Sequence, residues 1–245
     1  MERVGEQIQE IQRRIQMRVT EAQNTITSAG STTCNDPYAD NVVYISKKQD
    51  RYKNLERRGV FRRYWECTFE EIELRGIPDV VREAFKEVKE YADNLEENVD
   101  KGIGLILGGP VGLMKTSLSV AVLHRALDLD MSVQFVTMAS LLDNIFSLKA
   151  RNVEEWVKYE DRIKGAKILV LDDLGGEHTE GWVKTKVDAI ISERYNKMLP
   201  IIITTNLTGE ALKATYAERV LDRLRSTAVM IGFKGSSLRE RIKQN

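Results

Sequence analysis

Five apolar runs, each bounded by polar or small residues, dominate the pattern after residue 100. They cover residues 105–107, 132–138, 167–175, 199–207 and 228–233. Runs of leucine and β-branched residues without alternation are typical of parallel strands buried on both faces. Segments with helical periodicity separate several of them, from Lys115 to about Asp128, over 139–148 and over 153–164. The pattern therefore predicts an α/β fold with a parallel sheet that is covered by helices.

The first 27 residues show one long helical pattern. Its apolar residues recur with an eleven-residue period, which keeps them on one face of a nearly straight helix. They are Val4, Ile8, Ile11, Ile15, Val19, Ala22 and Ile26. A lone helix of this kind is marginal in water unless this face is buried. The face either packs on its own domain or docks on a partner or a second copy, and the sequence leaves both open.

Small residues at 28–33 interrupt this pattern, and a short strand is predicted over Asn41–Ser46. Basic residues then crowd the stretch from Lys47 to Arg63, with aromatic side chains among them. This composition is typical of a nucleic-acid-binding surface, but a solvated helix face with a few buried rings looks the same. A further helix is predicted over 78–95. We expect a helical partner-binding segment over 1–65 and an α/β domain over 66–245.

Composition excludes some classes of protein and site but does not indicate a function. Lys and Arg number 37, as do Asp and Glu, so the net charge of zero argues neither for nor against nucleic acid. Cys34 and Cys67 are far apart, and with His124 and His178 they do not form a zinc pattern. No apolar run approaches the length of a membrane span, and the first residues do not resemble a signal peptide. We expect a cytoplasmic protein that does not enter a membrane.

The first apolar run leads into a glycine-rich loop and then into a helical pattern. Backbone N–H groups of such a loop and the N-terminus of the following helix bind phosphates. Lys115 would then reach the β- and γ-phosphates of ATP, and the Thr116 hydroxyl would bind Mg²⁺. The common motif has glycine where this chain has Met114. The predicted phosphate-binding residues are Gly109, Pro110, Val111, Gly112, Leu113, Met114, Lys115, Thr116 and Ser117.

Two later strands also end in polar residues. The third run ends in Asp172 and Asp173, at the edge of the sheet where α/β proteins bind ligands. Asp172 is a candidate Mg²⁺ ligand, and Asp173 is a candidate to orient or deprotonate the attacking water. Asn206 lies at the polar end of the fourth run and is a candidate to hold that water, although Asn206 or Thr208 also fits a helix cap. The order of these features predicts a nucleotide site.

Arginines are concentrated near the C-terminus. Three of them, at positions 219, 223 and 225, lie on one short predicted helix, and Arg239 follows the last strand. Arginine presents a rigid fork to phosphate oxygens, so one of the three could act on the nucleotide of a neighbouring subunit. Ion pairs with Glu218 and Asp222 are the alternative for at least one of them. Arg239 could reach the γ-phosphate within its own subunit.

Together these residues resemble the DnaC/DnaI family of bacterial replicative-helicase loaders, which are AAA+ P-loop ATPases. The resemblance covers about residues 60–243. It rests on the phosphate loop up to Thr116, on Asp172-Asp173-Leu174-Gly175, on Thr204-Thr205-Asn206-Leu207, on Arg219-Val220-x-Asp222-Arg223-Leu224, and on Gly235-x-Ser237-x-Arg239. The segment Tyr64-Trp65-x-Cys67-Thr68-Phe69 also looks like the lead-in segment of this family.

The resemblance implies a five-stranded sheet with a small helical lid, ATP at a subunit interface, and assembly into a ring or spiral. It implies that Asn206 is sensor 1, Arg223 the arginine finger and Arg239 sensor 2. It also implies that the N-terminal segment binds a replicative DNA helicase while the ATPase domain contacts single-stranded DNA. Candidate DNA contacts are Lys149, Arg151, Lys184 and Lys186.

Two departures from the family pattern favour slow hydrolysis. Met114 replaces a glycine, and Asp173 stands where many AAA+ proteins have the longer glutamate. The leading hypothesis is an ATP-dependent helicase loader. The alternatives are a transposase-helper ATPase of the IstB type, which shares the core motifs, and an adaptor that binds nucleotide with little hydrolysis.

Overall fold

The computed structural model of the protein describes residues 39–175 and 181–239. No helix in these two ranges has the length and apolar character needed to cross a bilayer. The helix predicted over residues 2–27 lies outside the described residues, so both hypotheses for its apolar face stay open.

Five parallel strands form the central sheet, in the order β2-β3-β4-β1-β5. Their bounds are β1 Gly104–Gly108, β2 Val133–Thr137, β3 Ile168–Leu174, β4 Ile201–Thr205 and β5 Ala228–Gly232. The three central strands β3, β4 and β1 are buried along almost their whole length, as their continuous apolar runs require. Their C-terminal ends therefore lie side by side at one edge of the sheet. The predicted five-stranded α/β fold is confirmed.

The described residues also form helices. Their bounds are α1 Ala39–Arg57, α2 Phe69–Arg75, α3 Arg82–Asp93, α4 Leu95–Asp100, α5 Lys115–Asp128, α6 Met138–Arg151, α7 Val153–Gly165, α8 Gly181–Asn196, α9 Gly209–Thr215 and α10 Glu218–Thr227, with 3₁₀ turns at Arg62–Tyr64 and Asp79–Val81. Ile106, Leu169 and Ile203 share a core with α6, α7, α8 and α10. Their strand neighbours face the other way, because side chains alternate along a strand, and α5 packs on β3 and β4.

Contacts divide the chain into two units, with the boundary between Lys53 and Asn54 inside α1. The strand predicted over Asn41–Ser46 is wrong, because these residues belong to α1. The run of valine, tyrosine and isoleucine there has β propensity, but such propensity depends on a neighbouring strand to pair with. The predicted division into segments 1–65 and 66–245 stays a prediction.

The segment that follows α1 covers the outer edge of β2. The N–H of Phe135 donates to the carbonyl of Arg58 at 2.8 Å, and Gln134 Nε2 donates to the same oxygen at 3.0 Å. Gly59 has φ of 85°, and a Cβ there would collide with the Phe135 carbonyl. Phe61 packs edge-on against the Phe135 ring, with centroids 6.2 Å apart. Phe61, one of the aromatic residues of the basic stretch, therefore has a packing role.

Arg194, on α8, links the N-terminal ends of β3 and β4. Its guanidinium is fully buried and donates hydrogen bonds of 2.8–3.2 Å to four main-chain carbonyls. These carbonyls belong to Ile163, Ala166, Lys167 and Pro200. Burial lowers the pKa of Arg194 to about 9. The charge is thus held by carbonyl dipoles at the edge of the sheet opposite the polar strand ends.

Candidate nucleotide-binding site

The glycine-rich loop connects β1 to α5 and packs against the segment after β5. Gly109 has φ of 144°, and a Cβ there would collide with the Phe233 carbonyl. Gly112 has φ of 79°, and a Cβ there would collide with the Ser237 hydroxyl. The N–H of Leu238 donates to the Gly112 carbonyl at 3.1 Å. Both glycines are therefore required by backbone angle and by close approach.

Met114 lies at the end of this loop, immediately before α5. Its backbone is left-handed, with φ of 62° and ψ of 11°, a conformation that glycine adopts without strain and methionine does not. The Met114 carbonyl accepts the Leu118 N–H at 2.9 Å, so this conformation is tied to the start of the helix. The departure from the motif thus keeps the glycine geometry and adds backbone strain.

Lys115 turns its side chain back over the loop. Its Nζ donates to the carbonyls of Gly109 and Pro110 at 2.6 and 2.7 Å, and to Asn206 Oδ1 at 2.8 Å. Burial lowers the pKa of Lys115, the nearby charges of Asp173 and Asp172 oppose this shift, and Arg239 adds to it. The ammonium group is therefore fixed where β1, β4 and the loop meet.

Asp172 lies near the C-terminal end of β3 and is only 7% exposed. Its Oδ1 accepts hydrogen bonds from the Thr116 hydroxyl at 2.9 Å and from the Thr204 hydroxyl at 2.6 Å. Burial raises the pKa of Asp172 and is the largest influence on it, although both hydroxyls act in the opposite direction. The structure thus brings together the two predicted Mg²⁺ ligands.

Asp173 is exposed and has a left-handed backbone with φ of 60°. The pairing of β3 with β4 shifts at this point: Leu171 pairs with Ile203, but Leu174 pairs with Thr205. The bulge directs the Asp173 carboxylate to Asn206, whose Nδ2 donates to Asp173 Oδ1 at 2.8 Å. The predicted base and the predicted sensor 1 residue are therefore in direct contact.

These contacts meet the needs of a magnesium nucleotide. Mg²⁺ at phosphate sites is held by one or two protein oxygens, with phosphates and water completing its octahedron. The Thr116 hydroxyl and the Asp172 carboxylate supply such oxygens beside the phosphate loop. Within the described residues no cluster of three or more His, Cys, Asp or Glu side chains could hold a metal by itself. A cation here would depend on the phosphates that accompany it.

Arg239 and Arg223 lie in different surroundings. Arg239 is exposed at the end of the segment that packs on the loop, and its charge acts on Lys115. Arg223 contacts α8 instead. Its Nη1 donates to the Ser192 hydroxyl and lies 3.5 Å from Asp188 Oδ1, and its guanidinium lies over the Tyr195 ring. The structure groups Arg239 with the loop and places Arg223 in a separate cluster on α8 and α10.

Asp188 was missed by the sequence analysis. It lies on α8 with its side chain 11% exposed, accepts a hydrogen bond from Ser192 at 2.9 Å and forms ion pairs with both Arg219 and Arg223. Arg225 pairs with Glu218 at 2.8 Å. We expected at least one of the three arginines to pair with Glu218 or Asp222. The Arg225–Glu218 pair confirms this, whereas Arg219 and Arg223 pair with Asp188.

Other expectations have mixed outcomes. Lys186 lies 3.5 Å from Glu160 and over the Trp156 ring, so an intramolecular role competes with the predicted DNA contact. Lys184 is half-buried on α8, and residues 149 and 151 belong to α6. The small helical lid stays a prediction; among the described residues, 233–239 after β5 form no helix.

Comparison with known proteins agrees with a nucleotide-binding site. The model of the IstB-like ATP binding protein family matches residues 45–245. The chain belongs to this family. The replicative helicase loader DnaC of Buchnera aphidicola (from Acyrthosiphon pisum) is 24% identical over 211 residues, which cover 84% of this chain and 83% of the relative. The replicative helicase loader DnaI of Bacillus subtilis is 28% identical over 158 residues, covering 62% and 49%.

Two solved structures are similar to this chain in fold. The crystal structure of the DnaC helicase loader gives a TM-score of 0.62 at 24% identity and covers 71% of this chain and 100% of that chain. The crystal structure of DnaI gives 0.59 at 25% identity and covers 74% and 94%. The predicted resemblance to the DnaC/DnaI family and its AAA+ fold is confirmed.

Proposed function

We propose that this protein is an ATP-dependent loader of a replicative DNA helicase. The observation that carries the proposal is the set of hydrogen bonds that joins Lys115, Asn206, Asp173, Thr204, Asp172 and Thr116. These residues come from the start of α5 and from the C-terminal ends of β3 and β4. Together they provide a cation for phosphates, oxygens for Mg²⁺ and a carboxylate for water. Relatives that are named replicative helicase loaders match most of the chain.

In this proposal the loop amides and Lys115 hold the β- and γ-phosphates of ATP, and Thr116 and Asp172 hold Mg²⁺. When bound, Mg²⁺ would offset the negative charge of the phosphates. Asp173, kept in place by Asn206, orients the attacking water and accepts its proton. The Asp173 side chain is one methylene shorter than glutamate, so we expect slow turnover.

The two arginines take different roles. Arg239 is close enough to Lys115 to affect its pKa, and it acts on the phosphates of its own subunit. Arg223 is 29% exposed and acts on the nucleotide of a neighbouring copy in a ring or spiral. Asp188 would hold Arg223 ready for this contact. Such an arrangement makes turnover depend on assembly.

The N-terminal segment, residues 1–65, binds the helicase in this proposal, and the ATPase domain contacts single-stranded DNA. The apolar face proposed for residues 2–27 supplies a surface for a partner helix. One feature supports this division of roles: the nucleotide site lies wholly in residues after 100, outside the N-terminal segment.

Co-purification tests the proposal. The tagged protein is mixed with the replicative helicase of the same organism, with and without Mg·ATP, and the retained helicase is measured. We expect retention that depends on ATP, ATP turnover, and loss of both in Lys115→Ala. The matched control is Lys89→Ala, since Lys89 pairs with Asp93 on the exposed face of α3 and should behave as wild type. Failure of the helicase to associate under either condition would refute loading.

A transposase-helper ATPase is the second candidate, because the matching family is described as IstB-like. Parallel binding assays against a replicative helicase and an IS21-type transposase separate the two. Turnover that Lys115→Ala abolishes would also exclude an adaptor that binds nucleotide without hydrolysing it.

A further inference from the structure

Thr204, the penultimate residue of β4, contacts both acids of the site. Its Oγ1 donates to Asp172 Oδ1 at 2.6 Å and accepts the backbone N–H of Asp173 at 2.9 Å. The side chain is 2% exposed, so the hydroxyl has little access to water as an alternative partner. The Thr204 hydroxyl oxygen thus holds both the Asp172 carboxylate and the backbone N–H of Asp173.

The bulge in β3 explains why a side chain is needed here. Asp172 and Asp173 lie between Leu171 and Leu174, while only Thr204 lies between their partners on β4. Two residues of β3 therefore face one residue of β4, so the regular backbone hydrogen-bond pattern cannot include both of them. The left-handed backbone of Asp173 turns its N–H toward the Thr204 hydroxyl instead of a β4 carbonyl.

Thr205 provides the contrast. It is equally buried, at 1% exposure, but its hydroxyl donates to the Leu174 carbonyl at 2.7 Å and accepts the Leu207 N–H at 3.1 Å. These contacts join backbone to backbone at the end of the sheet and reach neither acid. Two adjacent threonines of β4 therefore make the same number of hydrogen bonds with different consequences.

We propose that Thr204 is a positioning residue for ATP hydrolysis, which sets the Asp172 carboxylate toward Mg²⁺ and holds the bulge that presents Asp173 to water. The inference rests on the proposed ATPase function and adds a residue to it. Without this hydroxyl, Asp172 keeps only the Thr116 hydrogen bond and Asp173 loses the acceptor for its N–H. Both acids would then sample orientations that do not serve the reaction.

The test compares Thr204→Val, which has nearly the same shape, with Thr204→Ser, which keeps the hydroxyl, and with Thr205→Val as the matched control. Four quantities are measured in the full chain: kcat, KM for ATP, the Mg²⁺ concentration for half-maximal turnover, and the affinity for a fluorescent ATP analogue with and without Mg²⁺. Thermal unfolding of each variant shows whether it is folded.

Loss of such an outer partner typically costs about 10- to 100-fold in activity or metal affinity. We expect Thr204→Val to lower kcat by about this factor and to raise the Mg²⁺ requirement, with a smaller change in KM and in analogue affinity without Mg²⁺. Thr204→Ser should recover most of kcat. Thr205→Val should lose similar thermal stability but retain more of kcat and an unchanged Mg²⁺ requirement.

Equal effects of Thr204→Val and Thr205→Val on kcat and on the Mg²⁺ requirement would overturn the positioning role and leave the ATPase proposal intact. Failure of Thr204→Ser to recover kcat would also overturn it. Wild-type protein that neither binds nor hydrolyses Mg·ATP would overturn the proposed function and this inference together.

Discussion

Met114→Gly tests whether the unusual phosphate loop costs this protein stability. Met114 occupies the left-handed region with φ of 62°, where a side chain is strained. Replacing it with glycine removes that strain without changing the hydrogen bond from Leu118 to the residue 114 carbonyl. We expect a more stable protein that binds ATP more tightly, because the loop backbone can then approach the phosphates.

The size of the effect follows from two opposing contributions. A left-handed non-glycine residue costs about 1–2 kcal/mol, whereas the extra freedom of glycine in the unfolded chain costs about 0.4–1 kcal/mol. The half-buried methionine side chain also gives up some apolar contact. The net gain is about 0.5–1 kcal/mol, which corresponds to a rise in Tm of roughly 1–4 °C for a domain of this size.

Met198→Gly is a matched control. Met198 also has a left-handed backbone, with φ of 52°, but it is 60% exposed and follows α8, away from the phosphate loop. Thermal unfolding should show a similar or larger gain in Tm for this variant, with ATP affinity as in wild type. Met114→Ala keeps the strain and loses side-chain contacts, so its Tm should not rise.

The reasoning is refuted if Met114→Gly unfolds at a lower temperature than wild type while Met198→Gly gains stability. That result would mean that the methionine side chain contributes more by its contacts than its backbone strain costs. Unchanged ATP affinity in a stabilised Met114→Gly would separate the stability effect from nucleotide binding.

Two further predictions concern buried charges. Burial raises the pKa of Asp172 above 3.8, so the folded protein holds this proton to higher pH than the unfolded chain, and the stability that Asp172 contributes falls as pH rises above 3.8. Asp172→Asn should therefore unfold at a higher temperature than wild type in EDTA at pH 7, with the difference fading as the pH falls towards 3.8, and should lose ATP turnover. Arg194→Met leaves four buried carbonyls without their donor and should cost about 3 kcal/mol or more in urea unfolding, whereas a loss below about 1 kcal/mol would contradict the role given to the guanidinium.

The parallel sheet and the outline of the nucleotide site could both be predicted from the order of residues alone. Strands buried on both faces need continuous apolar runs, and each run that ends in polar residues marks the C-terminal edge of the sheet. Lys115, Thr116, Asp172, Asp173 and Asn206 could be named in this way, because a strand end is visible in a one-dimensional pattern. Their mutual contacts in the structure agree with this expectation.

How these residues are held depends on packing between elements that are distant in the chain. The role of Thr204 depends on a bulge that shifts the β3–β4 register, and a register is a relation between strands that neither strand encodes alone. Asp188 and Arg194 lie in α8 as ordinary charged residues of a helical pattern, and only packing brings the first to Arg223 and the second to four carbonyls.

Local propensity also misled where tertiary context was missing. The β-branched residues within Asn41–Ser46 form part of α1, because β propensity is effective only beside a strand that can pair. Conversely, Met114 breaks the glycine pattern of the motif, yet the loop keeps the left-handed geometry. The surrounding contacts fix this backbone strongly enough to hold a side chain that would not choose it, which a sequence motif cannot show.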